Sequence, residues 1–174
     1  IIYSFTLHEL TPQGAKLRIL ADNFDQPFDI NQGTKLDLGS TAKLRTLVTY
    51  LEIVEKLHGQ YALLLPKALR QVKVEPGDNI TRWAVDYLLQ GGDKNLAAML
   101  DAAMERQYSA SPHEQFFTDG GVHVFHNFKH EDDGRVISVR EATRFSVNLV
   151  YIRLMRDIVR YTMFQTPGAN ILKD

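Results

Sequence analysis

A serine and a lysine three residues apart, Ser40 and Lys43, stand at the mouth of an apolar helical pattern in the stretch LDLGSTAKLRTLVTYLEIV. Positions three apart share one face of a helix, so the lysine amine can sit beside the serine hydroxyl. If burial lowers the amine's pKa, the lysine can take the serine's proton and the serine can attack a carbonyl. The start of a helix adds N–H groups that favour developing negative charge. A second pair, Ser146 and Asn148, lies far along the chain as an S-x-N. Its hydroxyl can relay a proton to or from a leaving amine, and its amide can orient a substrate amide and hold the lysine. Each pair has a plain structural alternative. Ser40 after Gly39 is a good helix cap with Lys43 on the surface, and taken alone the motif favours that reading. Ser146 alone reads as a capping serine beside a surface amide.

The elements around these pairs decide whether they can meet. IYSFTLHE (2–9) and KLRILA (16–21) alternate as strands, and LTPQGA between them supplies a turn, which together predict a hairpin. Residues 22–38 read as loop. Leu44, Leu47, Val48, Leu51, Val54 and Leu57 recur at helical steps and predict a helix over 40–58, with Gly59 as its C-cap. YALLLPKALRQVKVEPGD reads as a short apolar segment and then a strand or loop. Asp78 or Asn79 caps a helix through Leu89, closed by Gly91 and Gly92. Asp93 caps the next, with Leu96, Met99, Leu100, Ala103 and Met104 on one face. A short strand is expected at 122–128. Ser138 and Glu141 form a capping box, and Val147, Val150, Tyr151, Leu154 and Ile158 predict an inward face on a further helix. Ser146 and Asn148 thus fall at a junction of two helices, where irregular backbone can aim side chains into a cleft.

The chain has 174 residues, enough for one domain with a core, and its composition is that of an ordinary globular protein. A net charge of −1 argues against nucleic acid as the main partner. Cysteine is absent, which excludes disulfides, thiolate catalysis and cysteine-held metals. His113, His123, His126 and His130, with Glu131, Asp132 and Asp133, do not have the spacing of a zinc helix motif and read as a solvated loop. Gly120-Gly121 reads as a turn, the Leu- and Met-bearing stripe of 94–104 as packing, and no segment forms a phosphate loop. No metal or other cofactor is expected. No apolar run is long enough to span a bilayer.

S-x-x-K followed by S-x-N is a pattern of penicillin-binding proteins and serine β-lactamases, in which a K-T-G completes the set. The flanks are more specific than the triplets. DLGSTAKLRTLVTYLE resembles the GSTFKP helix entrance of penicillin-binding transpeptidases, and GRVISVREATRFSVNLVYIRLMRDIV resembles the stretch of class A (bifunctional) penicillin-binding proteins where a G-x-V-(T/S)-(L/V)-R-E-A helix leads into S-x-N. VFHNFKHEDDG resembles their P-x-N-(F/Y) approach segment, and the opening hairpin resembles the strands before their serine. The resemblance covers most of 1–160. It implies an α+β, helix-rich, truncated transpeptidase fold over residues 1–174. In it Ser40 is the acylated nucleophile, Lys43 its general base, Ser146 a proton shuttle and Asn148 a substrate contact. The implied reaction transfers a peptidoglycan stem peptide from its D-Ala-D-Ala bond to a neighbouring amine. The implied partners are stem peptides and β-lactams, in a membrane-anchored parent acting outside the cytoplasmic membrane. Three features depart from the family. Leu44 stands where proline is common, the helical segment at 78–107 is longer than expected at that place, and no K-T-G or K-S-G occurs. The expectation is therefore that the K-T-G strand and a transglycosylase domain belong to the parent beyond this chain, and that the chain alone is inactive. The alternatives are a non-catalytic interaction or scaffold module, in which Ser40 is only a cap, and a serine β-lactamase or sensor. The REA helix leading into S-x-N makes the latter the poorer match.

Overall fold

The computed structural model describes residues 1–26, 30, 38–118 and 120–165. They fall into two compact units, Ile1–Leu38 and Gly39–Asp174. The class is α+β. The first unit contains an antiparallel hairpin of β1 (Ser4–Thr11) and β2 (Gly14–Asp22). It turns where Pro12 and Gly14 predict, and Gly14 takes the positive φ of 115° that the turn requires. A bulge between Leu7 and His8 shifts the register. The loop expected over 22–38 lies largely outside the described residues.

The second unit is a helical body. Its helices are α1 (Ala42–Tyr61), α2 (Pro66–Leu69), α3 (Asn79–Leu89), α4 (Leu96–Met104), α5 (Val139–Phe145) and α6 (Asn148–Gln165). Two small antiparallel pairs accompany them. One joins β3 (Gln107–Ser109) to β6 (Val136–Ser138), and the other joins β4 (Gln115–Thr118) to β5 (Gly121–Val124). The β3–β6 pair went unread in the sequence because three-residue strands show no alternation to detect. No described helix is long and apolar enough to cross a membrane.

Local chemistry explains most helix boundaries. Asp78 caps α3 by accepting from the Thr81 amide at 3.0 Å. Asn95, not Asp93, caps α4, accepting from the Ala97 amide at 2.9 Å, while Asp93, two residues earlier, accepts from the Asn95 amide. Ser138 caps α5 through the Glu141 amide at 3.2 Å. Gly59 does not end α1, which continues to Tyr61. Glycine in a helix interior costs about 1 kcal/mol, and the burial of Leu57 and Ala62 on either side offsets it.

The core forms where α1, α3, α4 and α6 pack together. Tyr50, Val54 and Leu57 of α1 meet Ile80 and Ala84 of α3, Met99 and Ala103 of α4, and Val150, Leu154 and Ile158 of α6. The inward face of α1 is rotated from the expected one. Leu44 and Val48 are exposed, and Tyr50 and Ile53 are buried in their place. Through this core runs a polar cluster. Asp157, 2 % exposed, accepts from Tyr108 Oη at 2.8 Å and Asn79 Nδ2 at 2.9 Å, and it pairs with Arg106 at 3.3 Å. The Arg106 guanidinium lies 5.2 to 5.6 Å from the ring centroids of Tyr108, Tyr50 and Trp83. Burial raises the pKa of the Tyr108 phenol, which keeps it a donor to Asp157.

Removing one member of a buried ion pair leaves the other desolvated and unpaired, at a cost of about 3–5 kcal/mol. Asp157→Ala is therefore expected to lower the unfolding free energy by that amount, and Asp157→Asn by less, because an amide still accepts from Tyr108. Urea denaturation of the two variants checks the order.

Candidate active site

Ser40 lies in a 3-10 turn, Gly39–Thr41, that runs directly into α1. Gly39 has φ of +50°, a conformation that glycine adopts without strain. Lys43 is in the first turn of α1 and half-buried, whereas Ser40 is exposed. The residue at the cap position of α1 is Thr41, which makes no side-chain capping bond there. The hydroxyl of Ser40 instead lies 3.3 Å from Lys43 Nζ. The capping role that the sequence allowed for Ser40 is thus not the arrangement found.

Ser146 is the last residue of the α5 turn. It has φ 57° and ψ 39°, in the left-handed region, and closes the helix with its backbone N–H directed at Ala142 and Thr143 carbonyls. It is a helix C-cap, not the N-cap that its type suggested. Asn148 begins α6 two residues later. The sharp left-handed turn carries the chain from one helix to the next and points both polar groups of Ser146 the same way. Lys43 Nζ donates to Ser146 Oγ at 2.9 Å, to the Ser146 carbonyl at 2.5 Å and to Asn148 Oδ1 at 2.7 Å. All four residues singled out in the sequence therefore converge on one amine.

The amine has four oxygen neighbours and, when charged, only three protons. Ser40 Oγ is the most distant of the four. A neutral amine donating to the Ser146 carbonyl and to Asn148 has a lone pair to accept a proton from a hydroxyl. Burial lowers the pKa of Lys43 below the ordinary lysine value, which favours that neutral form. Among the described residues no carboxylate pairs with Lys43 to oppose the shift. Behind the amine is the ring of Tyr151, with its centroid 5.8 Å away, and Tyr151 Oη is tied to Thr143 Oγ1 at 2.7 Å.

Asn148 is held on both sides. Its Nδ2 donates to the His126 carbonyl at 3.1 Å while its Oδ1 accepts from Lys43, so the two contacts fix the amide's orientation. Asn127 is the residue that sequence reasoning missed. It is 6 % exposed, and its Oδ1 accepts from the Leu149 amide at 3.0 Å, in the first turn of α6. The resemblance of VFHNFKHEDDG to a P-x-N-(F/Y) segment falls on this asparagine, but nothing local to it shows which distant backbone groups it meets. Tyr151 was read as core alone, and its place beside the amine is visible only in three dimensions.

Two hollows meet at Asn148. The smaller, 210 Å³, is lined by Ser40, Ser146, Asn148, Phe128, Lys129 and Phe145 among others. The larger, 870 Å³, runs from Lys43 and Asn148 along α6 past Phe116, Tyr151 and Met155. Among the described residues no group of three histidines or acids converges as a metal site.

The left-handed conformation costs a residue with a Cβ roughly 1–2 kcal/mol. Ser146→Ala and Ser146→Gly both remove the hydroxyl, so their difference isolates the backbone. Ser146→Gly is expected to be the more stable of the two by about 1 kcal/mol, measured as a higher midpoint in thermal or urea unfolding.

In comparison with known proteins, the chain matches no family model, no curated protein and no solved structure.

Proposed function

We propose that this chain carries the acyl-serine site of a peptidoglycan D,D-transpeptidase, built on a truncated fold of the penicillin-binding and serine β-lactamase type. The observation that carries the reading is the convergence of Ser40, Ser146 and Asn148 on the half-buried amine of Lys43, from two segments far apart in the chain. Four residues act as one site only when they meet in one place. A scaffold module with Ser40 as a simple cap would not require that meeting.

In this reading the Ser40 hydroxyl attacks the carbonyl carbon of the penultimate D-Ala, and its proton passes to neutral Lys43 Nζ. The helix start at Ser40 favours the negative charge that develops on the carbonyl oxygen. Collapse of the tetrahedral adduct breaks the peptide bond. The departing D-Ala amine takes a proton from Lys43 by way of Ser146 Oγ, leaving an ester on Ser40. Asn148 contacts the substrate amide and holds the lysine. The amine of a neighbouring stem peptide then attacks the ester, gives up a proton along the same path, and Ser40 regains its hydrogen as the new cross-link leaves. A β-lactam presents a strained amide to the same serine and stops at the ester. The partners are stem peptides and β-lactams, and the place of action is outside the cytoplasmic membrane, in a longer protein anchored there.

Incubation with benzylpenicillin followed by mass spectrometry tests the reading. One adduct is expected on the peptide containing Ser40, absent in Ser40→Ala. The chain has no K-T-G or K-S-G triplet to hold the substrate carboxylate. Losing a single oxyanion donor already costs roughly a hundredfold or more, so labelling of this chain is expected to be slow and peptide turnover absent. The full-length parent is expected to label fast, and no Ser40 adduct there would overturn the proposal.

The base has its own signature. Lys43→Met is expected to slow acylation about 10²- to 10⁴-fold. Only neutral lysine accepts the proton, so the wild-type rate should rise with pH and level off above the Lys43 pKa. Because burial lowers that pKa, the midpoint should fall below 10.5, and Lys43→Met should remove the rise. Acylation rates measured across pH check both statements.

A further inference from the structure

We propose that Asn127 is the positioning residue of this site: its buried amide locks the 126–127 backbone to the first turn of α6 and thereby aims Asn148 at Lys43. The role rests on the acyl-serine reading for its consequence in catalysis, but its geometry stands by itself. The Asn127 amide makes three bonds, each at hydrogen-bonding distance. Nδ2 donates to the Ala110 carbonyl at 2.8 Å and to Asp133 Oδ1 at 2.8 Å, and Oδ1 accepts from the Leu149 N–H at 3.0 Å. The first N–H groups of a helix have no partner within it. Asn127 satisfies one of those in α6 from a loop more than twenty residues earlier.

The next residue back completes the link. The His126 carbonyl accepts from Asn148 Nδ2 at 3.1 Å, and Asn148 Oδ1 meets Lys43 at 2.7 Å. Ala110 follows β3 and is itself tied down, with its N–H donating to the Arg135 carbonyl at 2.7 Å next to β6. The loop is therefore anchored to the β3–β6 pair at one end and to α6 at the other. A flexible loop at 126–127 would leave the Asn148 amide free to rotate, because its only other described bond is to the lysine it must orient. A displacement of about 1 Å in such a group can cost on the order of a hundredfold in rate.

The test uses the side-chain amide signal of Asn148 in the isotope-labelled chain, observed by NMR, together with Ser40 acylation by benzylpenicillin in the full-length parent. In the wild type the Asn148 amide protons should exchange slowly and appear away from solvent-exposed amides. Asn127→Asp keeps an acceptor for Leu149 but loses both donors and sets a carboxylate against Asp133. It is expected to move the Asn148 signal to the exposed position while core amides such as Leu154 stay in place, and to slow acylation roughly 10- to 100-fold. The double variant N127D/D133N exchanges donor and acceptor and restores the 127–133 bond, so it should recover the Asn148 signal and most of the rate.

An Asn148 signal unchanged in Asn127→Asp would overturn the proposal. If Asn127→Asp fails to fold, the double variant decides. Recovery of fold and Asn148 signal together supports the positioning role. Recovery of fold without the signal reduces Asn127 to a purely structural residue. A wild type with the slow-exchanging Asn148 amide and the expected variant response, but no Ser40 adduct, would leave the positioning role standing and remove the transpeptidase reading.

Discussion

Asp157 is the point at which the helical body is tied together. Its carboxylate sits on α6 and is reached by Tyr108 from β3, Asn79 from α3 and Arg106 from the turn after α4. Arg106 in turn reaches Tyr50 of α1, whose own hydroxyl donates to the Ala103 carbonyl of α4. A buried ion pair adds little net stability against a well-packed apolar replacement. Its geometry, though, is demanding, because each donor must meet one particular oxygen. Sliding α6 by one turn against α1 would move about 5.4 Å of helix and leave several buried polar groups without partners. The register between these two helices is thus specified more sharply than apolar packing alone would specify it.

That register is what the candidate site needs. Ser40 and Lys43 belong to the start of α1, and Asn148 to the start of α6. The two helix starts lie side by side, and the amine of Lys43 bridges them. The short α5 ends in the left-handed Ser146, and its hydrophobic residues Val139 and Ala142 anchor it in the same core. A second set of ionic contacts supports the far side of α6. Arg153, 6 % exposed, donates to the Ser109 and Ser111 carbonyls at 2.8 Å and pairs with Glu114, which Arg156 also meets. These bonds satisfy carbonyls that leave β3 without a strand partner, and they hold the segment leading to β4 against the helix.

The left-handed Ser146 illustrates how a local cost serves a site. Its φ of 57° would suit glycine better, yet glycine could not present a hydroxyl to Lys43. Residues held in sparsely populated conformations persist where the surroundings over-determine them. Here the surroundings are the buried Val147 just after it and the paired amine in front of it. The lysine is likewise placed at a cost, since burial disfavours its charge. That burial is also what would make it useful as a base.

Much of this was written in residue types and spacing. The apolar periods marked α1, α3, α4 and α6, because a helix must bury one stripe and its sequence shows which. The face of Val150, Tyr151, Leu154 and Ile158 in α6, with Val147 just before it, is buried as its period implied. Asp78 and Ser138 mark helix starts because their side chains complete backbone bonds within three residues, a purely local matter. Ser40, Lys43, Ser146 and Asn148 stood out as residues of the right types at the right spacing within each pair. Only the tertiary structure decided that the two pairs share one amine, because their meeting depends on the packing of α1 against α6 and not on anything local to either. The same holds for the rotated face of α1, where Leu44 and Val48 follow the helical period yet are exposed. It holds for Asp157 and Arg153, whose helical positions lie beside Val150 and Leu154 but whose partners come from distant strands and loops. It holds most clearly for Asn127, whose three partners come from three separate stretches of chain. A side chain that satisfies distant backbone groups leaves no periodic trace in its own neighbourhood, so its role exists only once the chain has folded.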